Sequence, residues 1–227
     1  DSTLVVKYMS QLLKEPVKTF SIGFEEAEFN ELDFALEASK KFGTQHYTEI
    51  VKPDALAVLS ELVRHYGEPY GDSSAIPTYY VCALARNLVT MVLSGVGGDE
   101  AFAGYGSYVN WLKFQAINYR TGWKKKVFPL LQQVWPARYP ATDTYRHWIN
   151  KIHYYSNEQR QALWKNEYSD YFQNDSKLFE EIFKQSNNYS LSNKAQFADT
   201  LTYLPNDILM KVDIASMIHS LEVRTPF

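Results

Sequence analysis

A single cysteine, Cys82, excludes a disulfide within the chain, so apolar burial and hydrogen bonds must hold the fold. Such sparse usage is expected of a reducing cytoplasm. Long apolar runs are also missing. None approaches the roughly 20 residues that cross a bilayer, and no signal-like segment opens the sequence, so no membrane contact is expected. Excess positive charge is absent too. With 23 Lys and Arg against 26 Asp and Glu the net charge is −3, and no basic stripe is present to meet a phosphate backbone, which excludes nucleic acid as an expected partner. No internal repeat or low-complexity block interrupts the chain. What remains, 45% hydrophobic and 22% charged over 227 residues, is an ordinary globular composition long enough for a sizeable core. The aromatic share of 15% is high and is read as packing, not catalysis.

The stretch that organises the chain is Leu93-Ser94-Gly95-Val96-Gly97-Gly98-Asp99-Glu100-Ala101-Phe102-Ala103-Gly104-Tyr105, where a short apolar run ends in a glycine-rich turn carrying two adjacent acids. Val89 to Leu93 reads as a buried strand of a parallel sheet. Ligands collect at the carboxyl ends of such strands, because the backbone turns away and leaves free N–H groups in a crevice. Successive amides in a glycine turn form an anion-binding concavity, and the carboxylates of Asp99 and Glu100 would sit beside it. Phosphate and carboxylate repel, so a divalent cation between them is the natural mediator, and oxygen ligands suit Mg²⁺. The other reading of the same residues is a tight strand-to-helix turn whose acids are solvated at a helix N-terminus.

In chain order, residues 3–14 predict a helix ended by Pro16, and residues 17–22 a strand running into Gly23. Asn30 is the expected N-cap of a helix with Leu32, Ala35, Leu36 and Phe42 on its apolar face, and Gly43 is its stop. A short strand follows over residues 45–51. Pro53 then opens a helix bearing Leu56, Leu59, Leu62, Val63 and Tyr66. After a rigid loop over residues 67–72, Ser74 caps a helix carrying Val81, Leu84, Ala85 and Leu88, with Cys82 in its apolar pattern as a core residue. The order α-β-α-β-α-α-β is what a doubly wound parallel sheet produces. Beyond residue 106 the pattern becomes helical with no convincing strand. Trp111, Phe114, Trp123, Phe128, Trp135, Trp148 and Trp164 are expected to anchor helix packing, Lys124-Lys125-Lys126 to be a solvated face, and residues 186–193 an exposed loop. Residues 1–106 are thus read as an α/β nucleotide-binding part and 107–227 as a mainly helical part of the same domain.

Three segments carry a resemblance: the opening Asp1-Ser2-Thr3 before an apolar helix, Ser94-Gly95-Val96-Gly97-Gly98-Asp99-Glu100, and the closing run from Lys211 to Phe227. Together they closely resemble the synthetase domain of glutamine-dependent asparagine synthetases, an α/β domain of the ATP-pyrophosphatase (adenine nucleotide alpha hydrolase) type with a helical C-terminal extension. The resemblance implies that Asp1-Ser2 ends a pyrophosphate-binding loop whose glycines and strand lie upstream. Ser2 would then donate to phosphate and Asp1 offer a hard oxygen to Mg²⁺. Without the resemblance Asp1-Ser2 is simply a capping pair. Ile22 and Gly23 would contact adenine, Ser94 and Gly95 the nucleotide, and Asp99 would be the second metal-associated aspartate, bracketing Mg²⁺–pyrophosphate with Asp1.

Lys211 falls on one helical face with Ala215, Ile218 and Glu222, and would neutralise charge at the α-phosphorus, or else pair with Asp207 one turn earlier. Glu222 and Arg224 read as a structural pair, and the loop holding Glu68 and Asp72 resembles the family's Asp-Glu-Pro segment, which implies that these two acids shape an acyl pocket. The implied reaction is adenylation of the aspartate side chain by Mg-ATP with loss of pyrophosphate, then amidation by ammonia from a separate glutaminase domain. The 227 residues alone are expected to be inactive, and a homodimer is allowed. Where the family's best-studied members carry an acid, this chain has Val96. A lactam- or cyclic-peptide-forming ligase and a non-catalytic nucleotide-binding module therefore stay open, whereas the acidic balance argues against the fold's transfer-RNA-modifying relatives.

Overall fold

The computed structural model describes residues 1–25, 31–52, 55–118 and 172–227, together with 148, 149, 155, 159, 162–165, 167 and 168. Its elements, in chain order, are α1 (Ser2–Leu12), β1 (Lys18–Gly23), α2 (Leu32–Phe42), β2 (Gln45–Ile50), α3 (Ala55–Tyr66), α4 (Ala75–Arg86), β3 (Met91–Leu93), α5 (Gly98–Phe102), α6 (Gly106–Asn118), α7 (Phe172–Gln185), α8 (Leu191–Leu201), a π turn over Leu204–Leu209, α9 (Met210–Met217) and β4 (Glu222–Arg224). They form two compact units, Asp1–Asp99 with Thr202–Phe227, and Glu100–Leu201.

In the first unit β1 and β2 pair in parallel, from Lys18 opposite Gln45 to Gly23 opposite Ile50. Parallel neighbours need a crossover, and α2 supplies it, closed by Gly43 in the left-handed conformation. β3 pairs in parallel with β4, Met91 opposite Glu222 and Leu93 opposite Arg224. The α/β character and parallel pairing are as expected, but among the described residues the strands make two separate two-stranded ladders. β4 corrects the expectation of no strand after residue 106. Helices and ladders are joined by two apolar clusters. One gathers Val58, Leu62, Tyr66 and Ala75 with Met210, Ile214 and Ile218, and the other gathers Cys82, Ala85 and Leu221 with Phe20, Val92 and Val223. Burial pushes the Cys82 thiol up to about 11, which fits an inert core residue.

The second unit is built on Tyr108, Trp111, Trp148, Phe179, Ile182, Phe183, Ala195 and Ala198, with Trp111 and Trp148 fully buried as expected. Trp164 is 54% exposed, so it is no packing anchor. The expected loop over 186–193 is shorter than read, because Ser186 is buried and α8 begins at Leu191. Ser186 closes α7 inward, its hydroxyl donating to the carbonyls of Ile182 and Phe183. Asn30, Pro53, Trp123, Phe128, Trp135 and the three lysines at 124–126 lie outside the described residues, as does the side chain of Phe114.

Candidate active site

The turn after β3 is tied to both ends of the first unit. Ser94 N–H donates to the Arg224 carbonyl at 2.9 Å, extending the β3–β4 ladder by one bond, and Gly98 N–H closes back onto the Gly95 carbonyl at 3.3 Å. A Cβ built on Gly95 would run into the Ser2 amide and lie 2.6 Å from the Ser2 hydroxyl. On Gly98 it would collide with the Asp1 carboxylate. Glycine is thus required at both positions by close approach, and what approaches is the N-terminus of α1. Of the residues expected in one site, this contact brings together Asp1, Ser2 and Gly95. Asp1 makes no side-chain capping bond. Its carbonyl accepts from Leu4 and Val5, while its carboxylate lies against Gly98.

The two adjacent acids part company. Asp99 ends the first unit half-buried, whereas Glu100, 1% exposed, lies inside the second, where the Tyr105 hydroxyl donates to its Oε1 at 2.7 Å. Glu100 is therefore a core acid and not part of the concavity, which corrects the reading that placed both acids beside it. Among the described residues no group of three His, Cys, Asp or Glu side chains converges on a metal position. Two aspartates that share a cation with phosphate and water require no such cluster.

Gly23 is buried at the carboxyl end of β1, and a Cβ there would strike the Leu32 side chain of α2. Its glycine is explained by helix packing, and Ile22 beside it is half-buried. Lys211 lies in a separate polar network. Its ammonium donates to Asp72 Oδ2 at 2.7 Å and Ser74 Oγ at 2.6 Å. The pairing with Asp207 is replaced, because Tyr70 occupies that carboxylate through its hydroxyl, which also bonds the Asp207 carbonyl. The helical face expected for Lys211 and Glu222 does not form either, since α9 ends at Met217 and Glu222 is in β4, exposed and paired with Arg224 at 2.6 Å.

Burial works against the Asp72 carboxylate, but bonds from Lys211 and Ser74 outweigh it and hold its pKa below the usual range. Burial and the charges of Asp72 and Asp207 push the Tyr66 hydroxyl up to about 12, and Tyr70 rises for the same reasons and through its bond to Asp207. Three members of this network, Ser74, Tyr66 and Tyr70, were not read as functional. Ser74 occupies the N-cap position of α4 but makes no capping bond, and its hydroxyl donates to Asp72 instead. The concentration of turn residues and acid over Gly67–Asp72 was the available signal.

The asparagine synthase family model matches residues 1–227. The chain is 30% identical over its whole length to asparagine synthetase [glutamine-hydrolyzing] 1 of Bacillus subtilis, covering 37% of that protein. It is 31% identical over 92% of its length to a putative asparagine synthetase [glutamine-hydrolyzing] of Mycobacterium tuberculosis, covering 33% of it. The segment of 119 residues that matches a putative asparagine synthetase [glutamine-hydrolyzing] 2 of Methanocaldococcus jannaschii is 39% identical. The chain thus spans about a third of the length of these first two relatives. With the family model spanning the chain from Asp1 to Phe227, the chain belongs to the asparagine synthase family.

Proposed function

We propose that this chain is the ATP-using part of an amide-forming ligase, with a nucleotide site at the carboxyl end of β3. The observation that carries this is the seating of Asp1 and Ser2 against Gly95 and Gly98, which joins a helix N-terminus to a glycine turn followed by Asp99. A helix N-terminus with a serine hydroxyl suits the β- and γ-phosphates, and Ser94 and Gly95 suit the rest of the nucleotide. Asp1 and Asp99 offer oxygen ligands alone, which fits Mg²⁺, and that ion would supply charge neutralisation between the carboxylates and pyrophosphate. Ile22 and Gly23 are proposed against adenine. The two ladders are read as parts of one doubly wound sheet.

In the proposed reaction a side-chain carboxylate of aspartate attacks the α-phosphorus, and the bridging bond to the β-phosphate breaks with release of pyrophosphate. Ammonia then attacks the acyl carbon, AMP leaves, and the nitrogen gives up a proton to form asparagine. Both reactants of the first step are anionic, so positioning and cationic charge carry the catalysis. Lys211 is proposed to face the charge that builds on the α-phosphate. The relatives' names describe glutamine hydrolysis, and a glutaminase domain is the proposed source of ammonia. Val96, apolar where the best-studied members of the family carry an acid, permits one second reading, in which the acyl-adenylate is captured by an amine of the same molecule to give a lactam or cyclic peptide.

The test is pyrophosphate release by the full gene product with Mg-ATP and aspartate, beside Asp99→Ala. Release that needs aspartate and drops at least about a hundredfold in the variant supports the reading. Release with other amino-bearing carboxylates but not aspartate moves the assignment to the lactam-forming reading. If Mg-ATP neither turns over nor raises the melting temperature, the nucleotide site is wrong.

A further inference from the structure

Lys211 is held as surface lysines are not. The residue is 9% exposed, and its ammonium donates to Asp72 and Ser74 at 2.7 and 2.6 Å. Asp72 is fixed in turn from the start of α4, where Ser74 N–H donates to Oδ1 and the Ser74 hydroxyl to Oδ2, both at 2.8 Å. The backbone of α9 is pinned from the other side by the Tyr66 hydroxyl, which donates to the Lys211 carbonyl at 3.1 Å. A buried ammonium is unfavourable unless an anion compensates it, and a four-carbon stem wanders unless something seats its tip.

We infer that Asp72, seated by Ser74, is a positioning residue that aims the Lys211 ammonium before substrate arrives. This rests on the reading of Lys211 as the group that meets the α-phosphate charge. An ammonium has three N–H bonds, and Asp72 and Ser74 take two. Among the described residues the third has no acceptor, so it can meet a phosphate oxygen without breaking the ion pair. The other titratable groups on this face are Tyr66 on α3, Tyr70 in the loop and Asp207 on the π turn. Tyr70 occupies Asp207, and both tyrosines are held neutral by their raised pKa values, so Asp72 is the carboxylate that balances the lysine.

The experiment measures kcat and KM for substrate-dependent pyrophosphate release by the full gene product in Asp72→Asn, Asp72→Glu and Lys211→Met. Asp72→Asn keeps the shape and removes the charge. Its kcat is expected to fall about a hundredfold with KM for ATP little changed. Asp72→Glu, which restores the charge, is expected to recover kcat to within several-fold of the wild type. A kcat in Asp72→Glu about a hundredfold below the wild type overturns the inference, and this arm serves even if Asp72→Asn does not fold. If Lys211→Met is inactive while Asp72→Asn keeps wild-type kcat and KM, the inference falls and the reading of Lys211 stands. If Lys211→Met keeps the wild-type rate, that reading fails and takes this inference with it.

Discussion

A single methyl group tests the turn after β3. Ala at Gly98 would put its Cβ where the Asp1 carboxylate lies. Asp1 is exposed, so its carboxylate can swing away, but its Cβ lies 2.7 Å from that position and moves only with the backbone at the start of α1, so the stability cost should fall within the about 1–3 kcal/mol usual for overpacking. The functional cost should be larger, because the displaced group is the proposed partner of Asp99. Gly98→Ala is expected to unfold within a few degrees of the wild type, to lose the thermal shift given by Mg-ATP, and to release pyrophosphate at least about tenfold more slowly. A variant that keeps the shift and the rate would separate Asp1 from the nucleotide. Residue chemistry at this turn was legible because glycine spacing and acid placement are local. Glu100 was not, since nothing in Asp99-Glu100 tells which acid turns toward Tyr105 and the apolar interior of the second unit.

At the scale of elements, helices and strands with strong periodicity were readable, and their ends shifted by a residue or two. β4 was missed for a physical reason. Glu222-Val223-Arg224 has no apolar run and no alternation long enough to register, and it is a strand because β3 offers it an edge and because Leu221 before it is fully buried. Tertiary context made the strand. Likewise the Lys211–Asp72 pair joins residues 139 positions apart, whereas Asp207 lay one turn away and was the local choice. Leu221 therefore gives the element-scale prediction. It has 0% exposure and packs with Cys82 and Ala85 beside Phe20 and Val223, so Leu221→Ala should cost about 2–5 kcal/mol through the cavity it leaves. Denaturant unfolding measures this, and a loss under about 1 kcal/mol would mean that β4 is not seated by that side chain.

For the molecule as a folding system, the pH response of the second unit turns on Asp199. It is 3% exposed, and the Tyr108 hydroxyl donates to its Oδ2 at 2.7 Å. Burial raises its pKa from 3.8 to about 6, the hydrogen bond from Tyr108 opposes the rise, and the charge of Glu100 adds to it. The folded chain thus keeps this proton to higher pH than the unfolded chain. Between about pH 4 and pH 6 the native state binds more protons, so this group's contribution to stability falls as pH rises through that window and is fully lost above it. Two pKa units correspond to about 3 kcal/mol. Ordinary paired carboxylates act in the opposite direction, so the wild-type curve alone would hide the effect. The difference between wild type and Asp199→Asn isolates it, because asparagine has the same shape and no proton to lose. The variant's stability relative to wild type is expected to rise by up to about 3 kcal/mol between pH 4 and pH 7, measured by urea unfolding with tryptophan fluorescence, which reports Trp111 and Trp148 in the same core. A difference that stays constant with pH would mean that Asp199 is ionised in the folded chain throughout, and that burial does not govern it.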